Sequence, residues 1–101
     1  MSLDLETIKV AHRLSATNRT LVSESKECGC FHCESVFSSS RIDEWIEETQ
    51  GSYSEAPDPF TAVCPDCGID SVLGDACLYP VTDPAFLHAM RLHWFGEEEA
   101  A

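Results

Sequence analysis

Residues 30–33 read CFHC and residues 64–68 read CPDCG, and these two stretches are the most informative part of the chain. Each contains two cysteines at the CxxC spacing, so that together they offer four thiolates. Four thiolates complete the tetrahedral shell of a structural zinc ion and leave no position open for a reacting water. Soft sulfur ligands also favour zinc or iron–sulfur chemistry over hard cations. The pattern predicts one structural Zn²⁺ per chain. The predicted ligands are Cys30, Cys33, Cys64 and Cys67.

The second stretch has the composition of a tight metal knuckle. Pro65 follows its first cysteine and Gly68 follows its last. Glycine permits the positive φ with which the backbone turns its N–H groups toward sulfur. Thirty residues separate Cys33 from Cys64, more than the roughly 15–20 of a compact zinc site of this type. The extra length accommodates a predicted helix and a loop.

Two further cysteines and one histidine lie near these ligands. Cys28 precedes Cys30 by two positions, a spacing that fits a knuckle poorly, so it stays an alternative ligand in a shifted register. Cys77 is predicted to be a small buried hydrophobic residue. His32 would have to displace a thiolate to coordinate, so we expect it beside the site or at the surface.

Length and charge limit the function classes. A chain of 101 residues is expected to form one domain with a modest core, to which a metal cross-link adds stability. The 6 basic and 18 acidic residues give a formal charge of −12. This charge opposes binding to phosphate backbones and anionic membranes. The expected partner is therefore a protein, with a basic surface as the best match, and nucleic acid is not favoured.

The predicted compartment is the cytoplasm. The N-terminal residues lack the basic and apolar regions of a signal peptide, and no apolar run approaches membrane-spanning length. In a reducing compartment CxxC pairs more often bind metal than form disulfides. A disulfide framework is thus a weaker alternative, and a thioredoxin-like redox pair is weaker still because no βαβ pattern surrounds the cysteines.

The expected fold class is α+β, with three helices around the knuckles. Residues 3–24 predict an N-terminal helix, and a break near residues 15–18 is possible because Ser-Ala-Thr-Asn is poor helix interior. Residues 41–50 predict a central helix from the apolar face of Ile42, Trp45 and Ile46, with Ser40 as cap.

The C-terminal helix has the clearest boundaries. Asp83 is its expected cap, Pro84 its first residue, and Gly96 its stop after Phe95. Residues 36–37 predict a short extended or turn segment and residues 60–63 a short strand. Residues 69–73 predict a short apolar segment of undetermined type, and residues 51–59 a loop. The predicted single domain of residues 1–101 comprises an N-terminal helical segment at 1–27, a zinc-knuckle core at 28–80, the C-terminal helix at 81–96 and an acidic tail at 97–101.

No catalytic residue is predicted. The chain has no GxSxG, P-loop, GxGxxG or HExxH motif. His88 and His93 are five apart on the C-terminal helix, unlike the four-residue spacing of a helical metal pair. An enzyme site built from His12, Asn18 or Arg19 is the least supported alternative.

The motif CGCFHC, followed by Phe37, Trp45 and CPDCGIDSVLGD, resembles a family of small uncharacterised bacterial cytoplasmic proteins. The resemblance extends to the closing FLHAMRLHWF and covers about residues 12–95. It implies a cytoplasmic zinc-binding module and carries no activity with it.

More distantly, the two CxxC pairs are similar to the treble-clef scaffold of HNH and endonuclease VII-like nucleases. In zinc-bearing members of that superfamily the catalytic His and Asn lie between the two pairs. Residues 34–63 contain neither His nor Asn, so the general base and the metal ligand of the hydrolysis are missing. The similarity implies treble-clef or zinc-ribbon-like knuckles, by analogy of scaffold alone.

The leading hypothesis is a non-catalytic zinc-binding module that mediates protein–protein interaction through an acidic surface. Trp45, Trp94 and Phe95 are candidate anchors because aromatic side chains are favoured at interface cores, although core packing is the more common role for each. The alternative is a nucleic-acid-associated regulator with a basic N-terminal helix. The cations of that helix would be Lys9, Arg13 and Arg19.

Overall fold

A computed structural model describes residues 5–49, 57–77 and 79–96, and this part of the chain has an α+β fold as predicted. Its helices are α1 (Leu5–Arg13), α2 (Arg19–Ser23) and α3 (Pro84–Phe95). Its strands are β1 (Glu27–Cys30), β2 (Val36–Ser38), β3 (Trp45–Glu47), β4 (Phe60–Ala62) and β5 (Val72–Gly74). Two single 3₁₀ turns, Ser39–Arg41 and Asp75–Cys77, follow β2 and β5.

Two antiparallel sheets carry the two CxxC turns. Strand β1 is the centre of a three-stranded sheet in the order β2-β1-β5, and β3 pairs with β4 in a two-stranded sheet. The first CxxC turn connects β1 to β2, and the second precedes β5. Because Cys30 at the end of β1 lies opposite Val72 at the start of β5, strand pairing brings both turns to the same end of the sheet.

The three-stranded sheet separates two hydrophobic cores, since successive side chains of a strand point to opposite faces. The first core lies under α1 and α3. Its buried members are Ile8, Ala11, Phe31, Leu73, Val81, Phe86, Leu87 and Met90. The second core contains the cysteines of β1. Its buried members are Val22, Cys28, Cys30, Phe37, Ile42, Ala62, Cys64 and Val72. The predicted ligands therefore enter one core while the other core supports the sheet from behind.

Close packing on the first core depends on Gly29 of β1. A Cβ atom at this position would overlap the carbonyl oxygen of Val81 and lie 3.1 Å from a methyl carbon of Leu87. The absence of a side chain thus lets α3 and the segment before it approach the central strand.

The C-terminal helix is confirmed with its predicted limits. The Asp83 carboxylate accepts a hydrogen bond from the Ala85 N–H at 2.9 Å, Pro84 opens the helix, and Gly96 ends it with φ of 71°. Its buried face comprises Phe86, Leu87 and Met90. Full burial of one such side chain contributes about 1.5–3 kcal/mol to folding.

The predicted break near residues 15–18 is confirmed, because α1 and α2 are separate helices. Asn18, only 3% exposed, fixes the break. Its side-chain amide donates to the carbonyls of Leu14 at 3.1 Å and Val72 at 2.9 Å, and its oxygen accepts from the Ala62 N–H at 3.0 Å. One buried side chain thereby joins the end of α1 to both β4 and β5.

The predicted central helix at residues 41–50 is wrong. Within its described part, Trp45–Glu47 is strand β3, whose Ile46 lies opposite Thr61 of β4. Aromatic and β-branched residues fit a half-buried strand, and so short an apolar run does not separate helix from strand by its period. The capping position is also different, since the Ser38 hydroxyl accepts the hydrogen bond from the Ser40 N–H.

The remaining predicted segments fall partly outside the described residues. The acidic tail at 97–101, residues 3–4 of the N-terminal helix and residues 51–56 of the loop lie outside them. The predicted strand at 60–63 contains β4, and the predicted extended or turn segment at 36–37 is the start of β2. The apolar segment at 69–73, whose type the sequence left open, contains the start of β5. None of the helices in the described ranges has the length and the apolar composition of a membrane-spanning segment.

Candidate metal centre

The four predicted cysteine ligands lie in one cluster, with all their Sγ atoms within 4.8 Å of one another. The Sγ atoms of Cys30 and Cys67 are 3.7 Å apart, and those of Cys33 and Cys64 are 3.8 Å apart. Four sulfurs around zinc at bonds of about 2.3 Å form a tetrahedron with edges of about 3.8 Å. All six cysteines are free thiols, and these separations far exceed the roughly 2.05 Å of a disulfide. The cluster could therefore hold a metal ion.

The two CxxC turns share one backbone hydrogen-bond pattern. The N–H of Cys30 donates to the Ser35 carbonyl at 2.9 Å, and the N–H of Cys64 donates to the Ile69 carbonyl at 3.0 Å. Each pair of residues is five apart in the chain. The same short loop is thus built twice, from sequences that have little in common beyond the cysteines.

Each turn also closes through a residue with positive φ after its second cysteine. Glu34 has φ of 63° and Gly68 has φ of 79°. The Glu34 N–H donates to the Cys30 carbonyl at 2.8 Å, and the Gly68 N–H donates to the Cys64 carbonyl at 3.0 Å. The sequence predicted the glycine but not its counterpart, because glutamate is uncommon in this conformation.

Backbone N–H groups point at the first sulfur of each turn. The N–H groups of His32 and Asp66 each lie 3.4 Å from the Sγ of Cys30 and Cys64, respectively. Such donors orient metal-bound thiolates and stabilise their charge. The turns are therefore arranged to present sulfur atoms as ligands.

The protonation of the cluster reflects burial and hydrogen bonding. Burial raises the pKa of Cys30 strongly and that of Cys67 to about 11. At Cys64 burial also opposes the thiolate, but hydrogen bonds, chiefly from the Asp66 and Cys67 N–H groups, outweigh it and lower the pKa. A divalent cation among the sulfurs favours the thiolates, so metal binding here has to displace protons.

Asp66 of the second turn connects the cluster to its surroundings. Its carboxylate accepts a hydrogen bond from the Ser35 hydroxyl of the first turn and pairs with the Arg41 guanidinium at 2.8 Å. The hydrogen bond from Arg41 lowers the pKa of Asp66. The two CxxC turns are thus joined by a side-chain hydrogen bond as well as by the proximity of their sulfur atoms. Sequence reasoning missed this contact because Ser35 and Arg41 lie far from Asp66 in the chain.

The other two cysteines lie outside the four-sulfur cluster. Cys28 is completely buried in the second core, and burial, with the nearby charge of Asp75, raises its pKa to about 12. Cys77 is half-buried against the first core, and burial raises its pKa as well. Neither the shifted register of Cys28 nor a role for Cys77 as a ligand is supported by this geometry.

The histidines take separate positions. His32 is half-buried beside the cluster, with its ring edge on Phe95 at 4.7 Å between centroids. His88 is exposed and pairs with the Glu34 carboxylate at 3.1 Å. His12 stacks on Trp94 at 3.9 Å, and His93 meets the same indole edge-on at 4.6 Å.

The candidate aromatic anchors are all partly buried. Trp45 packs against the second core, whereas Trp94 and Phe95 pack against the first. They therefore do not form one aromatic patch.

The cations of the predicted basic helix do not form one continuous stripe. Lys9 and Arg13 lie on α1, whereas Arg19 begins α2 beyond the break. The Arg19 guanidinium pairs with Asp58 at 3.0 Å and lies over the Phe60 ring at 4.1 Å from its centroid. The structure therefore gives the nucleic-acid alternative no specific support.

No protein-family model, curated protein or solved structure matches the chain. The family resemblance drawn from the motifs stays a prediction, and the function has to be argued from the geometry of the cluster.

Proposed function

We propose that the protein is a non-catalytic zinc-binding module with one Zn²⁺ held by Cys30, Cys33, Cys64 and Cys67. The observation that carries this proposal is the clustering of the four sulfur atoms, two pairs of which have the edge length of a zinc–sulfur tetrahedron. Four thiolates fill the coordination shell, so the ion has a structural role. It joins β1 to the turn before β5, across 30 intervening residues between Cys33 and Cys64.

The position of the turns supports a ribbon-like arrangement over a treble clef. Each CxxC turn lies between strands, and neither pair lies at the start of a helix. We also propose that the protein is related to the small bacterial cytoplasmic proteins and that it works in a reducing compartment. The six free thiols are consistent with such a compartment.

The partner that we propose is a basic protein. The formal charge of −12 becomes more negative when four thiolates bind a divalent ion. This charge steers cationic surfaces toward the protein and repels phosphate backbones. No group in the described site supplies a general base beside an open metal position, so we propose no catalytic activity.

Elemental analysis of purified variants tests the zinc site. We expect about one zinc per chain in the wild type, and loss of that zinc in serine variants of each of the four ligands. Cys77→Ser is the matched control, since it makes the same change at a half-buried thiol outside the cluster. Cys28→Ala tests the alternative register without burying a hydroxyl. Zinc retained in Cys30→Ser and lost in Cys28→Ala would overturn the proposed ligand set.

A further inference from the structure

A second feature, separate from the cysteine cluster, is a cavity of about 360 Å³ between the C-terminal ends of α1 and α3. Its walls include the aromatic rings of Phe31, Trp94 and Phe95. Two carboxylate residues, Glu48 and Asp70, complete the lining on the side of β3 and the second CxxC turn. Aromatic faces and carboxylates in one cavity are the combination that recognises an organic cation.

The aromatic wall is held in place by its own packing. The Phe31 ring lies 5.9 Å from the Phe95 ring, and the His12 ring stacks on Trp94 with an interplanar angle of 29°. The Nε1 atom of Trp94 is buried and has no hydrogen-bond partner among the described residues. Because His12 covers one face of this indole, a cation in the cavity would meet the remainder of the aromatic wall, which Trp94 forms together with Phe31 and Phe95.

Glu48 is positioned by a short chain of hydrogen bonds. The buried Thr61 hydroxyl donates to the Glu48 carboxylate at 2.7 Å and accepts from the Thr17 N–H at 2.8 Å. The carboxylate is therefore fixed against β4, although it forms no ion pair within the described part of the chain. Asp70 is exposed and likewise forms no ion pair with a described residue.

The cavity has negative charge without a cation of its own. No lysine or arginine is among the described residues that line it. Burial outweighs the attraction of Asp70 and lowers the pKa of His12, which favours the uncharged imidazole. The two carboxylates thus line the same cavity as the aromatic wall, and no described lysine or arginine lines it with them.

We propose that this cavity binds an alkylammonium group, with its carbon chain against Phe31 and Phe95 and its charge near Trp94, Glu48 and Asp70. Two sources offer this group: a lysine side chain of a protein partner or a free aliphatic amine. The lysine source rests on the proposed basic partner, whereas binding of the group itself does not depend on that proposal or on the metal.

Titration of the zinc-loaded full chain with n-butylammonium tests the inference, with the Trp94 indole N–H followed by ¹H–¹⁵N NMR. Trp45→Phe assigns the resonance by removing the other indole. We expect a saturable shift with n-butylammonium and none with 1-butanol, which has the same shape without the charge. A shift of equal size and midpoint with 1-butanol would overturn the proposal, because the cavity would then be only an apolar site.

Charge variants test the two carboxylates. Asp70→Asn and Glu48→Gln should each weaken n-butylammonium binding about fivefold, the effect of one partly exposed charge. Asp43→Asn is the matched control, because it removes the same charge at a residue that lines a different cavity. Equal weakening in Asp43→Asn would mean that only the overall charge attracts the amine, and the site would be rejected.

A second titration distinguishes the two sources. Tighter binding of Nα-acetyl-lysine methylamide than of n-butylammonium supports a lysine side chain, and the reverse order supports a free amine. Failure of both to bind would remove the cavity site and leave the zinc content and the salt-dependent binding of a basic protein unaffected. Absence of zinc from the purified protein would instead remove the proposed function.

Discussion

Glu34 and Gly68 occupy equivalent positions in the two CxxC turns, and both have positive φ, 63° and 79°. A side chain in this conformation costs roughly 1 kcal/mol relative to glycine. The side chain that this backbone carries contacts α3, since the Glu34 carboxylate lies 3.1 Å from His88 and 4.0 Å from Arg91. The first turn thereby contacts the C-terminal helix through a side chain. The second turn has glycine at the equivalent position, Gly68, and so has no side chain there to make such a contact.

Replacing Glu34 separates the backbone cost from the side-chain contact. Glu34→Ala loses the contact with α3 and keeps the unfavourable φ, whereas Glu34→Gly loses the contact and relieves the backbone. We expect Glu34→Gly to be more stable than Glu34→Ala by about 1 kcal/mol. Urea denaturation of the zinc-loaded variants measures the difference. Equal stabilities would show that the turn relaxes when the side chain is shortened.

Asn18 is the polar residue on which the junction of α1, β4 and β5 depends. Asn18→Ala leaves the Ala62 N–H and the Val72 carbonyl without their partner in a buried region. We expect the free energy of unfolding to fall by about 2–4 kcal/mol, since each buried group left unpaired costs about 1–3 kcal/mol. Ser23→Ala is the control, because it removes one exposed side-chain hydrogen bond to a nearby carbonyl. A loss no larger than that of the control would mean that water replaces the amide.

The sequence predicts features that depend on neighbouring residues. The limits of α3 follow from Asp83, Pro84 and Gly96, each of which acts within one turn of helix. The CxxC spacing predicts the sulfur cluster because the loop between paired cysteines is short. Strand β3 was predicted as a helix because Trp45 and Ile46 fit either structure, and the pairing with β4 that decides between them is not local.

Contacts between distant residues are the part that a single sequence does not contain. The hydrogen bond from Asn18 to Val72 joins residues 54 positions apart, and the contact between Arg41 and Asp66 joins residues 25 apart. The cavity beside Trp94 is lined by residues from the C-terminal ends of α1 and α3, from the first CxxC turn and from the segment after the second CxxC turn. These contacts depend on how the helices and strands pack around the two hydrophobic cores. Local propensities do not determine that packing.

Removal of zinc should affect the two cores differently. A strong chelator is expected to disorder the region from Cys30 to Cys67, because the four cysteine sulfurs lose the ion that holds them together. Helices α1 and α3 should keep part of their packing on the first core. Hydrogen exchange followed by NMR, with zinc content measured in parallel, compares the two regions. Equal protection in zinc-free and zinc-loaded protein would show that the apolar cores suffice.

The acidic surface predicts a salt-dependent preference among partners. Cytochrome c, as a generic basic protein, should bind zinc-loaded protein more tightly than double-stranded DNA does, and the affinity should fall as salt rises. Isothermal titration at two salt concentrations measures both.

Added magnesium, manganese or nickel should produce no DNA cleavage. Cleavage that disappears in His12→Ala would revive the enzyme alternative.

Zinc affinity should fall steeply as pH falls. Burial raises the pKa of Cys30 strongly and that of Cys67 to about 11, so both thiols hold protons at pH 7 in the zinc-free fold. Release of at least two protons on binding predicts roughly a hundredfold loss of affinity per pH unit. Competition with a chelating indicator between pH 6 and 8 measures this dependence, and a slope below tenfold per pH unit would contradict it.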